Sequence, residues 1–179
     1  SLLDKCLIRR TPGGRYQIHE LLRQFAESKL HAAEVSALAV AHCHYYCSYL
    51  AALNPGLIER EQVKNSLQVE EELENVRTAW QYAVAQGEGA TLMLAAAPYF
   101  HFCQMQSRYL EYADAGGQAA EVLAAAGDFG GLAQLLVYRA WMLIRIGRFD
   151  TAAEALMTSS ALFDELELAP KYGMGSHPL

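Results

Sequence analysis

Ser107-Arg108-Tyr109-Leu110-Glu111-Tyr112-Ala113 lies over Gly147-Arg148-Phe149-Asp150-Thr151-Ala152-Ala153 at an offset of forty residues. Working outward, the stretch from about Leu94 to Gly127 can be laid on Gln134 to Glu167. Apolar residues recur at three- and four-residue steps within both copies, which reads as helix. A helical repeat of this length is the mark of an α-solenoid, whose units bury their apolar faces on one another and leave an extended surface for a partner. The pattern predicts four helices, at about 91–105, 109–126, 130–146 and 149–166, punctuated by Gly127 and Gly147 as C-terminal caps. Pro98 inside the first predicts a kink or an early break.

Upstream, Cys6-Leu7-Ile8-Arg9-Arg10 reads as a short strand, Thr11-Pro12-Gly13-Gly14 as a turn, and Arg15-Tyr16-Gln17-Ile18 as the return strand. A lone hairpin is marginal in water, so the chain is expected to begin inside a domain whose earlier part is absent. From His19 the period becomes helical, with Leu21, Leu22, Phe25, Ala26 and Leu30 on one stripe. A second helix is expected from Ala33 to Leu53. Its buried side is Val35, Leu38, Ala39, His42, Tyr45, Tyr46, Tyr49 and Leu53, and Asn54-Pro55-Gly56 stops it. Glu59 to Gln68 is a loop or a solvated helix. Val69, Leu73, Val76, Trp80 and Ala83 then line a helix that ends near Gly87. The tail from Ala169 to Leu179, rich in Pro, Gly, Ser and His, is expected to be disordered, as a cloning remnant or the stub of a cut repeat.

The expected architecture is thus all-α, a right-handed α-α superhelix with a short N-terminal β-hairpin. The segments are 1–32 (hairpin plus helix), 33–89 (linking helices), 90–168 (repeats) and 169–179 (tail).

Composition limits the function. Of 179 residues, 53% are hydrophobic and 19% charged, ample for a core. No stretch has the roughly 20 apolar residues needed to cross a bilayer. Asp4, Lys5, Arg9 and Arg10 interrupt anything resembling a secretory signal, so a cytoplasmic protein without membrane contact is expected. Cys6, Cys43, Cys47 and Cys103 lack compact disulfide spacing and suit a reducing compartment as free, buried thiols. The net charge of −6 is uneven: residues 1–30 carry +3 and the remainder −9. Arg9, Arg10 and Arg15 flank the hairpin turn, but the acidic remainder repels a duplex, so no direct nucleic-acid contact is expected.

No catalytic constellation stands out, and the chain is read as non-enzymatic. His42, Cys43, His44 and Cys47, with His31 nearby, invite a zinc reading. On a helix, however, His44 turns away from the Cys43–Cys47 face, and four converging ligands are lacking, so these are core residues and no metal is expected. Tyr45, Tyr46 and Tyr49 lack interleaved Lys or Arg and read as packing rather than a stacking platform. The run Glu70, Glu71, Glu72, Glu74 reads as a solvated face with helical pairing, Arg77 opposite Glu74.

The second repeat unit resembles a tetratricopeptide repeat. Ala140, Gly147, Phe149, Ala152 and Leu156 stand at its small, turn, aromatic, Ala and large-apolar positions. Ala140 and Ala152 would let the paired helices approach, and Phe149 and Leu156 would fill the space between units. The first unit departs from the pattern, with Phe100 in the small position and Tyr112 in the Ala position. The long period is similar to the solenoids of large bacterial regulators of the MalT and AfsR type. Tyr16-Gln17-Ile18-His19-Glu20-Leu21-Leu22-Arg23-Gln24-Phe25-Ala26 resembles the end of the winged-helix subdomain in such signal-transduction ATPases, the STAND class with its NB-ARC-like nucleotide-binding module. Ile18-His19-Glu20 stands where the family has Met-His-Asp, and the resemblance implies that His19 senses a nucleotide phosphate in the intact protein. Any ATP or ADP would be held by an upstream nucleotide-binding domain, because this chain has no Gly-rich loop followed by Lys-Ser or Lys-Thr. The first helix of each repeat lines the inner groove, which places His101, Gln104 and Met105 in one unit and Trp141, Ile144 and Arg145 in the next. Aromatic and Arg side chains there are candidate anchors for a protein or small effector. The implied function is a protein-interaction and sensor module of a transcriptional regulator; a free-standing scaffold with no nucleotide switch is the alternative.

Overall fold

The computed structural model describes residues 2–5, 7–10, 14, 16–59 and 61–167. Among the described residues it is mostly helical, with a two-stranded hairpin and eight helices. Contacts divide it into Ser1–Ala41 and His42–Leu179.

In the first unit, β1 (Ile8–Arg10) pairs antiparallel with β2 (Tyr16–Ile18), with Ile8 opposite Ile18 and Arg10 opposite Tyr16. Arg9 Nε donates to Gln17 Oε1 across the pair at 3.0 Å. The strand ends expected at Cys6 and Arg15, and most of the expected turn, lie outside the described residues. Helix α1 (Glu20–Glu27) follows at once; its stripe is present, but no residue of α1 is buried.

Helix α2 (Ala32–Ile58) does not stop at Asn54-Pro55-Gly56, as the sequence suggested. Pro55 removes only its own N–H bond, and the last turn is held by burial of Leu57 (2% exposed) and by the bond from Glu59 N–H to Pro55 O at 3.1 Å. Gly56 allows close approach: a Cβ there would lie 1.5 Å from Asn65 Nδ2. The buried side also differs from expectation. Cys43, Cys47, Leu50 and Leu57 face the core, whereas Val35, Leu38 and Tyr45 are exposed. Tyr46 and Tyr49 sit half in, their hydroxyls reaching Glu72 and Gln68 O, and the residues without polar tips take the interior.

Glu59–Gln68, left open between loop and helix, contains most of α3 (Gln62–Glu71). The single helix expected through Val69 and Leu73 is broken at Glu72, and α4 (Leu73–Gln86) begins there. The Glu72 carboxylate accepts from Tyr46 O–H at 3.3 Å and Asn75 Nδ2 at 2.7 Å, which pins the corner. The expected stripe Val69, Leu73, Val76, Trp80 and Ala83 is buried throughout.

Four helices then run in close succession: α5 (Gly89–Met105), α6 (Tyr109–Ala126), α7 (Phe129–Arg145) and α8 (Phe149–Glu165). Each packs on the next, and α5 also touches α7. The turns share one design. Gly87, Ser107, Gly127, Gly147 and Glu167, spaced every twenty residues, all have positive φ (70, 55, 72, 76 and 52°). Past each of the first four, the next N–H bonds back five residues: Glu88 to Ala83 O, Arg108 to Cys103 O, Asp128 to Leu123 O and Arg148 to Leu143 O, at 2.8 to 3.0 Å. This is the Schellman ending, and the same four residues serve as N-caps of the following helices. One residue closes one helix and opens the next.

Pro98 is buried within α5, which continues past it, so the expected early break does not occur. The rings around it hold the helix: Trp80, Tyr99, Tyr112, Phe100 and Tyr138 form a chain of contacts, from Trp80–Tyr99 at 5.2 Å to Phe100–Tyr138 at 4.8 Å. The buried Tyr112 hydroxyl donates to Ala96 O at 3.0 Å, in the place of the bond a buried hydroxyl loses to water. Phe100 and Tyr112, mismatches to the short repeat pattern, pack ring against ring (5.7 Å), whereas Ala140 and Ala152 in the second unit are small and buried. Phe149 and Leu156, expected to fill the space between units, are instead 65% and 41% exposed. No helix among the described residues follows α8 to cover them.

Candidate functional site

His19 stands where β2 gives way to α1. Its backbone is extended and its Nδ1 accepts the Leu21 N–H at 3.2 Å, so in this chain it caps α1. Beside it, Arg23 donates to Glu20 at 2.6 and 2.8 Å and to Glu27 at 2.5 Å. Those hydrogen bonds, with one from Gln24, hold the exposed Glu20 carboxyl down at about 2. Leu21 and Phe25 are exposed, with Lys29 Nζ 5.2 Å from the Phe25 ring centre.

The core placement expected for the Cys/His group holds only in part: His42 is half-buried, and His44 and His31 are exposed because they lie off the Cys43–Cys47 face. Cys43 and Cys47 are buried, and Cys43 Sγ donates to Ala79 O at 3.3 Å. Burial pushes Cys47 up to about 12 and also raises Cys43, so neither is a thiolate at neutral pH. His42 Nε2 lies 3.4 Å from Asn75 Oδ1, while the exposed His44 is 3.9 Å from Glu88. Among the described residues no three His, Cys, Asp or Glu side chains converge as a metal site would require. Tyr46 and Tyr49 donate to Glu72 and to Gln68 O, which ties α2 to α3 and its end.

The candidate partner residues sit on two touching helices, α5 and α7, at the same height along each. His101 and Gln104 are half-buried and Met105 is exposed; Trp141, Ile144 and Arg145 are exposed. His101 makes an edge contact with Phe100 at 5.2 Å, and burial lowers its pKa, so it is neutral near pH 7. Among the described residues no ring contact joins His101 to Trp141. Arg145 is anchored on a residue the sequence reading passed over. Its guanidinium lies 5.0 Å from the Tyr109 ring centre and donates to the Tyr109 hydroxyl at 3.1 Å. The signal was the aromatic shared by Tyr109 and Phe149 just past each turn.

A second cluster, also missed, centres on Glu111 of α6. Arg77 of α4 grips it through two bonds, Nε–Oε1 at 2.8 Å and Nη2–Oε2 at 2.6 Å. The Tyr99 hydroxyl donates to the same carboxylate at 2.7 Å, and Arg108 lies 3.6 Å away. Burial alone would raise the Glu111 pKa, but the bonds from Arg77 and Tyr99, with the charges of Arg77 and Arg108, hold it below its usual value. Arg77 also bonds Glu74, and Arg108 bonds Glu70 at 2.6 Å. The acidic run is therefore not simply a solvated face: two of its carboxylates, Glu70 and Glu72, reach other helices. A cleft of about 180 Å³ opens beside the cluster, lined by Trp80, Gln81, Asp114 and Gln118 among others. The bonds that Arg77, Tyr99 and Arg108 make to Glu111 and Glu70 link α3, α4, α5 and α6, although the buried Arg108 Nε has no partner among the described residues.

What fold and site define together, among the described residues, is a mostly helical chain in which each helix from α3 to α8 packs on the next, with a two-strand hairpin earlier in the sequence. No family model, curated protein or solved structure matches it. Among the described residues no helix is long and apolar enough to cross a membrane.

Proposed function

We propose that this chain is the protein-interaction and sensor module of a multidomain, ATP-dependent transcriptional regulator of the STAND class. The end of a winged helix would precede tetratricopeptide-like repeats wound as a right-handed α-α superhelix. The observation that carries this reading is the recurrence of one turn at positions 87, 107, 127, 147 and 167. When each helix is joined to the next by the same step, the rotations accumulate in one sense, which is how a solenoid is built.

In this reading the module is non-catalytic and cytoplasmic. A protein or small effector binds the α5–α7 face through Trp141, Arg145, Met105, Gln104 and His101. Aromatic and Arg residues exposed on a rigid face are the usual anchors. ATP or ADP is bound by an upstream nucleotide-binding domain, with His19 reaching its phosphate. Effector and nucleotide are then linked, each altering the other's affinity. The exposed apolar residues of α1, Leu21 and Phe25, support a neighbouring domain packed on that helix.

The test uses the longer protein that carries the nucleotide domain. His19→Asn keeps a good N-cap and removes the imidazole. A hydrogen bond to a charged phosphate contributes about 1.5–3 kcal/mol, so ADP release is expected to accelerate at least about tenfold. Unchanged ADP retention refutes the sensor role.

A further inference from the structure

The forty-residue repeat yields two clefts that correspond residue by residue. The first, of about 180 Å³, is the one beside Glu111. All eight of its lining residues have counterparts forty positions on, and those counterparts line a second cleft of about 390 Å³ between α6, α7 and α8. Two exchanges widen the second. Trp80, 2% exposed with its indole N–H donating to Ala115 O at 3.3 Å, becomes Ala120, and Arg77 becomes Gly117. In the first repeat the chain fills this place with its own indole; in the second the place is open.

The open cleft keeps partners for the groups it lacks. Arg139 of α7 stands at the position of Tyr99, and its guanidinium lies across Gly117: a Cβ there would be 3.1 Å from Nη2 and 3.3 Å from Cζ. A positive charge therefore covers the position that Arg77 holds one repeat earlier. Arg77 grips Glu111, but the counterpart of Glu111 is Thr151. Among the described residues Arg139 has no carboxylate partner; its Nε donates to Ala113 O at 3.1 Å. Ala155 O stands at the position of the carbonyl that accepts the Trp80 N–H. Leu132 and Leu136 add apolar wall. At the rim, Gln81 and Asp114 become Glu121 and Glu154, both exposed. A plain carboxylic acid would meet two like charges there, whereas an α-amino acid brings an ammonium to them.

We propose that this cleft binds a free aromatic α-amino acid, of which tryptophan fits best. Its ring takes the place that Trp80 fills in the first repeat, its indole N–H donates to Ala155 O, its carboxylate pairs with Arg139, and its ammonium faces Glu121 and Glu154. An apolar wall with a few convergent polar groups is the usual make-up of a small-molecule site. None of these residues belongs to the α5–α7 face, so the site stands or falls apart from the function proposed above.

Isothermal titration of the chain with L-tryptophan up to about 5 mM tests this, since a ligand of this size at ordinary affinity per atom dissociates at about 0.1 mM. One site per chain is expected. Tryptamine lacks the carboxylate, indole-3-propionate the ammonium and L-alanine the ring, and each should bind at least about tenfold more weakly. Thr151→Glu returns to this cleft the carboxylate of the first and should weaken L-tryptophan at least about tenfold. Thr151 is exposed, so the far-ultraviolet circular dichroism spectrum should be unchanged. Ala120→Trp returns the indole and should abolish binding. Absence of L-tryptophan binding at the highest concentration overturns the proposal. Tryptamine or indole-3-propionate binding as tightly as L-tryptophan overturns it too, as does L-tryptophan binding that Thr151→Glu leaves undiminished.

Discussion

The twenty-residue step makes a paired prediction of opposite sign. Gly127 and Ser107 occupy the same place in successive turns, at φ of 72° and 55°. An L-residue in this left-handed region is strained by about 1–2 kcal/mol, and glycine is not. At Gly127 a Cβ would meet nothing within 4 Å, so Gly127→Ala adds backbone strain and no clash. The alanine also narrows the unfolded ensemble, which returns about 0.4–1 kcal/mol. The net expectation is a loss of about 1 kcal/mol. Ser107→Gly runs the same terms backwards. It relieves the strain, widens the unfolded ensemble and gives up a long 3.4 Å bond from Ser107 Oγ to the Tyr109 hydroxyl, for a net gain of about 0.5 kcal/mol. For a chain of this size the melting midpoints should move by about 2–4 °C down and about 1–2 °C up. Urea unfolding followed by circular dichroism measures both, with the denaturant slope unchanged in each. If Ser107→Gly destabilises, or if both changes have the same sign, the claim that a shared turn geometry joins these helices is refuted.

Two further outcomes are expected. Gly56→Ala drives a Cβ against Asn65 in a tightly packed place and should cost about 1–3 kcal/mol of stability; Asn65→Ala in the same chain should recover most of that loss, as measured by urea midpoints. Glu111→Gln should destabilise by about 1.5–3 kcal/mol at pH 7, since it breaks the grip of Arg77 on a part-buried carboxylate. The sign with pH follows from its depressed folded-state pKa. The stabilisation is full above the unfolded-state value near 4.5 and fades as pH falls through the lower folded value. Unfolding midpoints of the two proteins should therefore converge below about pH 4.5; a gap that persists undiminished in acid would count against the ion pair.

Local pattern alone placed much of the fold. The apolar stripe at three- and four-residue steps located α6 at Tyr109–Ala126 and came within one or two residues of α5, α7 and α8. It also named the buried side of α4 correctly. The glycine signals at Gly127 and Gly147 were legible because glycine declares a left-handed backbone. The twenty-residue step was not, because Ser107 and Glu167 adopt that backbone without the residue that advertises it.

Other features depended on what came to lie alongside. Pro55 read as a stop and Pro98 as a kink or an early break, yet packing around Leu57 and the aromatic chain through Phe100 and Tyr112 carries both helices past them. On α2 two faces were apolar enough to be buried, and the neighbours chose the cysteine face over the tyrosine face. Within the candidate site, the chain order suggested the heights of His101 and Trp141 on their helices. It could not show Arg145 on Tyr109, or Arg77 gripping a carboxylate thirty-four positions away. Sequence determined which residues favour burial and where α5 to α8 begin and end, because these follow from side-chain chemistry and the helical period. Only the tertiary structure decided which faces found a partner, because that choice compares surfaces brought together from distant parts of the chain.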